Sequence, residues 1–198
     1  MDMTRKQQRG RTVCLALALT AVLIAPLGAK DVFRARMLTG KAPIEPPYVD
    51  VQIEIDSWTT PEEIRQLQDV LLQSGPDAFL GAFSASKKGV VRFMYARGYN
   101  LVVHMAQVLP TDKGRKVVIF LNRESWSQGG YLVRGRHYFM IIELELNEKG
   151  KGQGRFYEDA QIKLDSQLGK IGMETYESAP KVFVQASEVV PKAEKKKK

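Results

Sequence analysis

Apolar and polar residues alternate from Val49 to Asp56, with Val51, Ile53 and Ile55 on one side and Gln52, Glu54 and Asp56 on the other. A period of two is that of a strand with one buried face. After Thr60 the period changes. Ile64, Leu67 and Leu71 follow at helical spacing with Val70 beside them, while Glu62, Arg65, Gln66 and Asp69 fall off that stripe. Thr60-Pro61-Glu62-Glu63 is a helix start. Thr60 can accept from an orphan N–H, Pro61 needs no donor at the first position, and Glu63 completes a capping box. Gly75-Pro76 interrupts the helix. A second short helix is expected from Pro76 to about Lys88, with Ala78, Phe79, Ala82 and Phe83 as its buried side and Gly89 as a left-handed stop. Trp58 stands between strand and helix and is expected to pin that corner into the core.

Beyond Gly89 the pattern is that of strands. Val90–Tyr95 and Tyr99–Leu109 read as a hairpin. Pro110–Gly114 is a turn, and Lys116–Leu121 is apolar enough to be covered on both faces. His137–Asn147 is the longest strand. Tyr138, Met140, Ile142, Leu144 and Leu146 form one face; Phe139, Ile141, Glu143 and Glu145 form the other, apolar at one end and acidic at the other. Glu148–Gly154 reads as a hairpin tip. Its alternate glycines lack the Lys-Ser/Thr ending and the following helix of a phosphate loop. Arg155–Asp165, Lys170–Tyr176 and Lys181–Val190 complete the set. The expected fold is α+β: a curved antiparallel sheet of about seven strands with one helical segment, two short helices, packed on one face. With enough curl, the other face and the Asn122–Gly135 loop would make an apolar cup.

Four regions follow. Residues 1–29 read as an export signal: Arg5, Lys6, Arg9 and Arg11, then an apolar run from Val13 to Ala25, then small residues before a cut after Ala29. That run is short for a membrane span, and an uncleaved anchor is the alternative. Residues 30–48 form a Pro-containing, poorly ordered lead-in, with Pro43, Pro46 and Pro47 denying it ladder bonds. Residues 49–190 are a single domain. Residues 191–198 are a lysine-rich tail expected to be disordered, with at most weak contact to anionic surfaces. Of the net +8, three charges lie in residues 1–29 and four in 191–198, so the folded body is nearly neutral. A domain that grips nucleic acid carries its charge on the fold, so no nucleic acid is expected.

Candidate chemistry is sparse. Cys14 is the single cysteine and precedes the proposed cut, so neither a disulfide nor a cysteine metal site is available. His104 and His137 are the two histidines, with no His-x-x-x-His spacing and no nucleophile elbow, so no metal site and no cofactor are expected. His104 lies in an apolar strand and reads as a hydrogen-bonded structural histidine. Glu143 and Glu145 would lie about 7 Å apart on one strand face, a spacing that resembles a hydrolytic carboxylate pair, although alternating Glu on a strand face is usually just a solvated side. Trp126 and Tyr131, in a glycine-bearing loop, together with Phe139 and Ile141, are the candidate binding residues; a loop whose Trp126 folds back onto the core is the bland alternative.

Asp56-Ser57-Trp58-Thr59-Thr60-Pro61-Glu62-Glu63, Gly89-Val90-Val91-Arg92-Phe93, Arg97-Gly98-Tyr99 and Ile142-Glu143-Leu144 with the Gly-x-Gly turn after it carry a resemblance over roughly Val49–Val184. The chain resembles small exported bacterial proteins of unassigned function. The resemblance implies export to the periplasm or beyond and a shared α+β domain, and it implies no site. The expected function is a non-enzymatic extracytoplasmic binding or interaction module with an unknown ligand or protein partner. The alternatives are a hydrolase or isomerase using Glu143 or Glu145 with a histidine, and a membrane-tethered structural protein.

Overall fold

The computed structural model describes residues 30–38, 47–94, 99–123, 137–165, 167 and 170–189. The elements are β1 (Asp31–Leu38), β2 (Tyr48–Ile55), α1 (Pro61–Ala85), β3 (Gly89–Phe93), β4 (Tyr99–Thr111), β5 (Gly114–Asn122), β6 (Phe139–Asn147), β7 (Lys151–Asp165), β8 (Lys170–Tyr176) and β9 (Lys181–Glu188). Strands β1 to β7 pair in sequence order, β7 also pairs with β9, and β9 pairs back to β1, antiparallel throughout. Eight strands therefore close into a barrel, and β8 lies outside it on β7.

This corrects the expected open sheet of about seven strands. The fold is mostly β: a closed antiparallel barrel, one outer strand and one helical segment. The cause is β1, which lies within the expected lead-in and joins β2 to β9. Its alternation is plain, with Phe33, Ala35 and Met37 buried and Arg34 and Leu38 exposed. The prolines that argued against order fall after it. Without β1 the sheet has two ends; with it, no barrel edge remains between those strands.

The lumen is packed, so it forms no cup. Phe93 of β3 meets Phe156 of β7 at 5.7 Å between ring centroids, and Phe156 stacks on Phe183 of β9 at 6.2 Å. Strands β3 and β7 are far apart around the ring, so the first contact spans the lumen. Met37, Ile53, Val103, Ile119, Ile142 and Leu144 fill the rest, all buried. An eight-stranded barrel is about as wide as its own side chains can fill. Outside, β1–β3 carry Arg36 paired with Asp50 and Arg92 paired with Glu54, a water-facing surface rather than a lipid-facing one.

Helix α1 replaces a hairpin turn between β2 and β3. Thr60 caps it as expected: its Oγ1 accepts from Glu63 N–H at 3.2 Å, and its own N–H donates to Glu63 Oε2 at 2.8 Å. A straight helix of this length would run about 37 Å. Instead Lys88 Nζ, just past its end, lies 2.5 Å from Glu63 Oε1 in its first turn. The bend is at Gly75, whose φ of 83° an L side chain rarely adopts, followed by Pro76, which lacks the donor to continue the ladder. The helix ends at Ala85, earlier than expected. Gly89 is no helix stop: it opens β3, where a Cβ would sit 2.0 Å from the Glu54 carbonyl oxygen.

The helix covers the outer face of β4–β6, where Ile64, Leu67, Phe79 and Phe83 pack on Met105, Val118, Phe120, Phe139 and Ile141. Two irregularities build this second core. A bulge at His104 in β4 switches which side chains face inward, so Met105 points outward and Ala106 inward. A second bulge, past Tyr157, lets the far half of β7 leave the barrel with β8. Ile171 N–H donates to Gln107 Oε1 at 3.1 Å and fastens that ribbon to β4. Trp58 pins its corner as expected, donating to Asp31 at 2.7 Å and setting its edge on Phe33.

Candidate functional site

Where the bent helix, the start of β6 and the departing end of β7 meet, an apolar groove of about 320 Å³ remains. Leu71, Pro76, Phe79 and Leu80 form its helical wall. Ile162 and Leu164 form the opposite wall, and Phe139 lines it as well. Tyr138 stands at the mouth, 58% exposed, and Leu72, at the helix bend, is 75% exposed. The groove lies beside the bend, with lining residues from both sides of Gly75. Its volume is at the lower end of the range for small-molecule sites.

A polar knot holds one end. Arg123 and Asp159, both buried, pair at 3.0 Å. Asp159 Oδ1 also accepts from His137 N–H at 2.8 Å, Arg123 Nη1 donates to the His137 carbonyl at 3.2 Å, and Arg123 N–H donates to the Tyr138 carbonyl at 3.0 Å. The backbone of residues 137–138 is thus fixed from both sides, and the two side chains line the groove with Gln161. His137 Nε2 is buried with no hydrogen-bond partner among the described residues; Glu177 Oε1 lies 3.6 Å away, within ion-pairing range of a protonated ring.

The residues singled out from sequence are dispersed. Trp126 and Tyr131 lie outside the described residues. Ile141 is fully buried beneath the helix. Phe139 packs edge-on against Phe79 at 6.2 Å and Phe83 at 5.1 Å, and its remaining surface lines the groove. Glu143 and Glu145 lie farther along the outer face of β6, past the helix. There Glu143 takes a 2.8 Å bond from Lys116, in a shallow depression with Gln153 and Arg155. His104 Nδ1 lies 2.7 Å from the Ser86 carbonyl, and its ring packs on Phe83. Burial holds the His104 pKa below its ordinary value; the Ser86 bond opposes this and Lys87 adds to it. Neither histidine is bonded to Glu143 or Glu145 among the described residues. No group of three metal-ligating side chains is found among the described residues.

Leu71, Ile162 and Leu164 were legible only as core positions, Leu80 was not singled out at all, and the Arg123–Asp159 pair gave no sequence signal at a separation of 36 residues. Comparison with known proteins finds no matching family model, no matching curated protein and no matching solved structure.

Proposed function

We propose that the chain is an exported, non-enzymatic binding module, and that its binding site is the groove between the helix bend and the β7–β8 ribbon. The carrying observation is an apolar, solvent-open groove whose lining includes only a few polar side chains, His137, Tyr138 and Gln161. Apolar walls supply affinity, and a few fixed polar groups supply orientation. The occupant is therefore a small apolar group, from a small molecule or a partner's side chains, with a polar end directed at His137 and Gln161. Export is supported by the basic start, apolar run and small residues of segment 1–29, and by the absence of cysteine after it. The dispersal of the histidines away from Glu143 and Glu145 favours binding over hydrolysis.

Titration with indole, followed by NMR, tests the groove. Resonances of Leu71, Leu80, Tyr138 and Ile162 should shift together, and Leu80→Glu should abolish the response while the β1 and β2 resonances stay in place. Shifts centred on Glu143 and Arg155, or none at all, would overturn the assignment.

A further inference from the structure

The second half of the helix, residues 76–85, is hinged at one end and latched at the other. At the hinge, Gly75 has a φ of 83°, and a Cβ there would meet nothing within 4 Å. Pro76 lacks the N–H that would tie it to the turn before. Pro76, Phe79 and Leu80 of this segment line the groove, so its position decides whether the groove has a helical wall.

Two side chains from the barrel hold the far end. Asn122 Nδ2 donates to Ser84 Oγ at 2.8 Å, and His104 Nδ1 lies 2.7 Å from the carbonyl oxygen of Ser86, the residue that caps the helix. A carbonyl only accepts, so Nδ1 carries the proton and Nε2 of the neutral ring is an acceptor. His104 is 5% exposed, and its Nε2 is buried with no hydrogen-bond partner among the described residues. Phe83 packs on the ring at 5.1 Å between centroids. Val103, Met105, Phe120 and Leu121 border it on β4 and β5, all apolar. From the helix end Lys87 opposes a second positive charge, and Glu63, the acid nearest that end, is engaged by Lys88 at 2.5 Å.

From this hinge and latch we infer that residues 76–86 form a flap whose opening is coupled to protonation of His104: acid swings the flap outward about Gly75, and an occupant of the groove holds it shut. A proton on Nε2 makes a buried donor with no acceptor among the described residues, beside an unfavourable charge, and the hinge offers a way to water without disturbing the barrel. The Ser86 bond favours the charged ring, but burial outweighs it. The open form therefore takes up the proton near the ordinary 6.5 and the closed form only at lower pH, so the open fraction should rise about tenfold from pH 7.5 to 5.5. As regulation of the groove this rests on the groove being the binding site; the opening itself does not.

Hydrogen exchange of the full chain, corrected for the intrinsic effect of pH on exchange, reads the opening. Amides of Leu80 to Ala85 should open about tenfold more often at pH 5.5 than at 7.5, those of β2 should not, and saturating indole should slow the flap amides at both. His104→Gln keeps a donor for Ser86 and takes up no proton, so the pH response should vanish. His137→Gln changes the chain's other histidine and should leave the response intact, which identifies His104 even if its own variant does not fold. Equal opening at both pH values, a response lost in His137→Gln, or β2 amides opening in step with the flap would each overturn the inference. Indole without effect on exchange, with the pH response intact, would remove the groove reading and leave the flap standing.

Discussion

The lumen of the barrel and the layer outside it are both apolar cores, yet they are built differently. The lumen is lined by apolar side chains from strands around the ring, and its phenylalanines meet across the centre. The buried polar residues Thr59, His104, Gln107, Arg123 and Asp159 all lie outside it. Each joins one element to another: Thr59 to β4, His104 to the helix end, Gln107 to β8, and Arg123 and Asp159 to residues 137–138. A closed apolar barrel needs no such ties, because its ladder already fixes every strand. A helix and a ribbon laid on a curved surface do need them, since apolar packing is non-directional. The incomplete fit that results is where the groove lies.

Matched truncations in the two cores should expose the difference. Phe156→Ala opens a void at the centre of the lumen and should cost about 3–5 kcal/mol, seen in denaturant titration. All protected amides should weaken together, because no strand of the ring can open alone. Phe79→Ala borders the groove, where part of its surroundings is already open, and should cost about 3 kcal/mol or less. Exchange should then speed up within α1 while β2 and β5 follow global unfolding only. Uniform loss in both variants would mean that helix and barrel form one cooperative unit.

A smaller effect probes the attachment itself. Thr60→Ala removes the acceptor for Glu63 N–H and should cost about 1 kcal/mol. It should also loosen the Glu63–Lys88 pair, which closes the bent helix on itself. A loss confined to exchange of the first helical turn would place the cap in the outer layer alone.

What could be read beforehand divides along the same line. The capping box, the break at Gly75-Pro76, the buried helical stripe and the β3–β4 hairpin all depend on neighbours in sequence, and all are present. Closure depends on β1 meeting β9, which lies some 150 residues away, and strand alternation carries no record of its partner. Gly152 and Gly154 looked like a hairpin tip, yet they lie within β7. The groove depends on how three elements distant in sequence meet, which no local pattern encodes. Phe139 was singled out for a surface; it proves to be mostly core, with one face on the groove.

Acid should act on the outer layer before the lumen, since His104, Arg123 and Asp159, the buried ionisable side chains among the described residues, lie in the outer layer. His104 is the group that decides the mildest window. Burial lowers its folded pKa below the ordinary 6.5. The unfolded chain therefore takes up a proton where the folded chain does not. Its contribution is whole above pH 6.5 and is lost progressively as pH falls towards the folded value. Glu63 follows in stronger acid. Burial alone would raise its pKa, but the bonds from Lys88 and Thr60 outweigh that and set it below 4.5, so its contribution is present above pH 4.5 and fades below. Stability measured from pH 7 down to 5 should decline in wild type, and His104→Gln, which keeps a donor for the Ser86 carbonyl, should flatten the decline. The β2 amides, which report on the barrel, should lose protection later than those of α1 along the same titration. An unchanged slope in the variant would move the acid sensitivity away from His104.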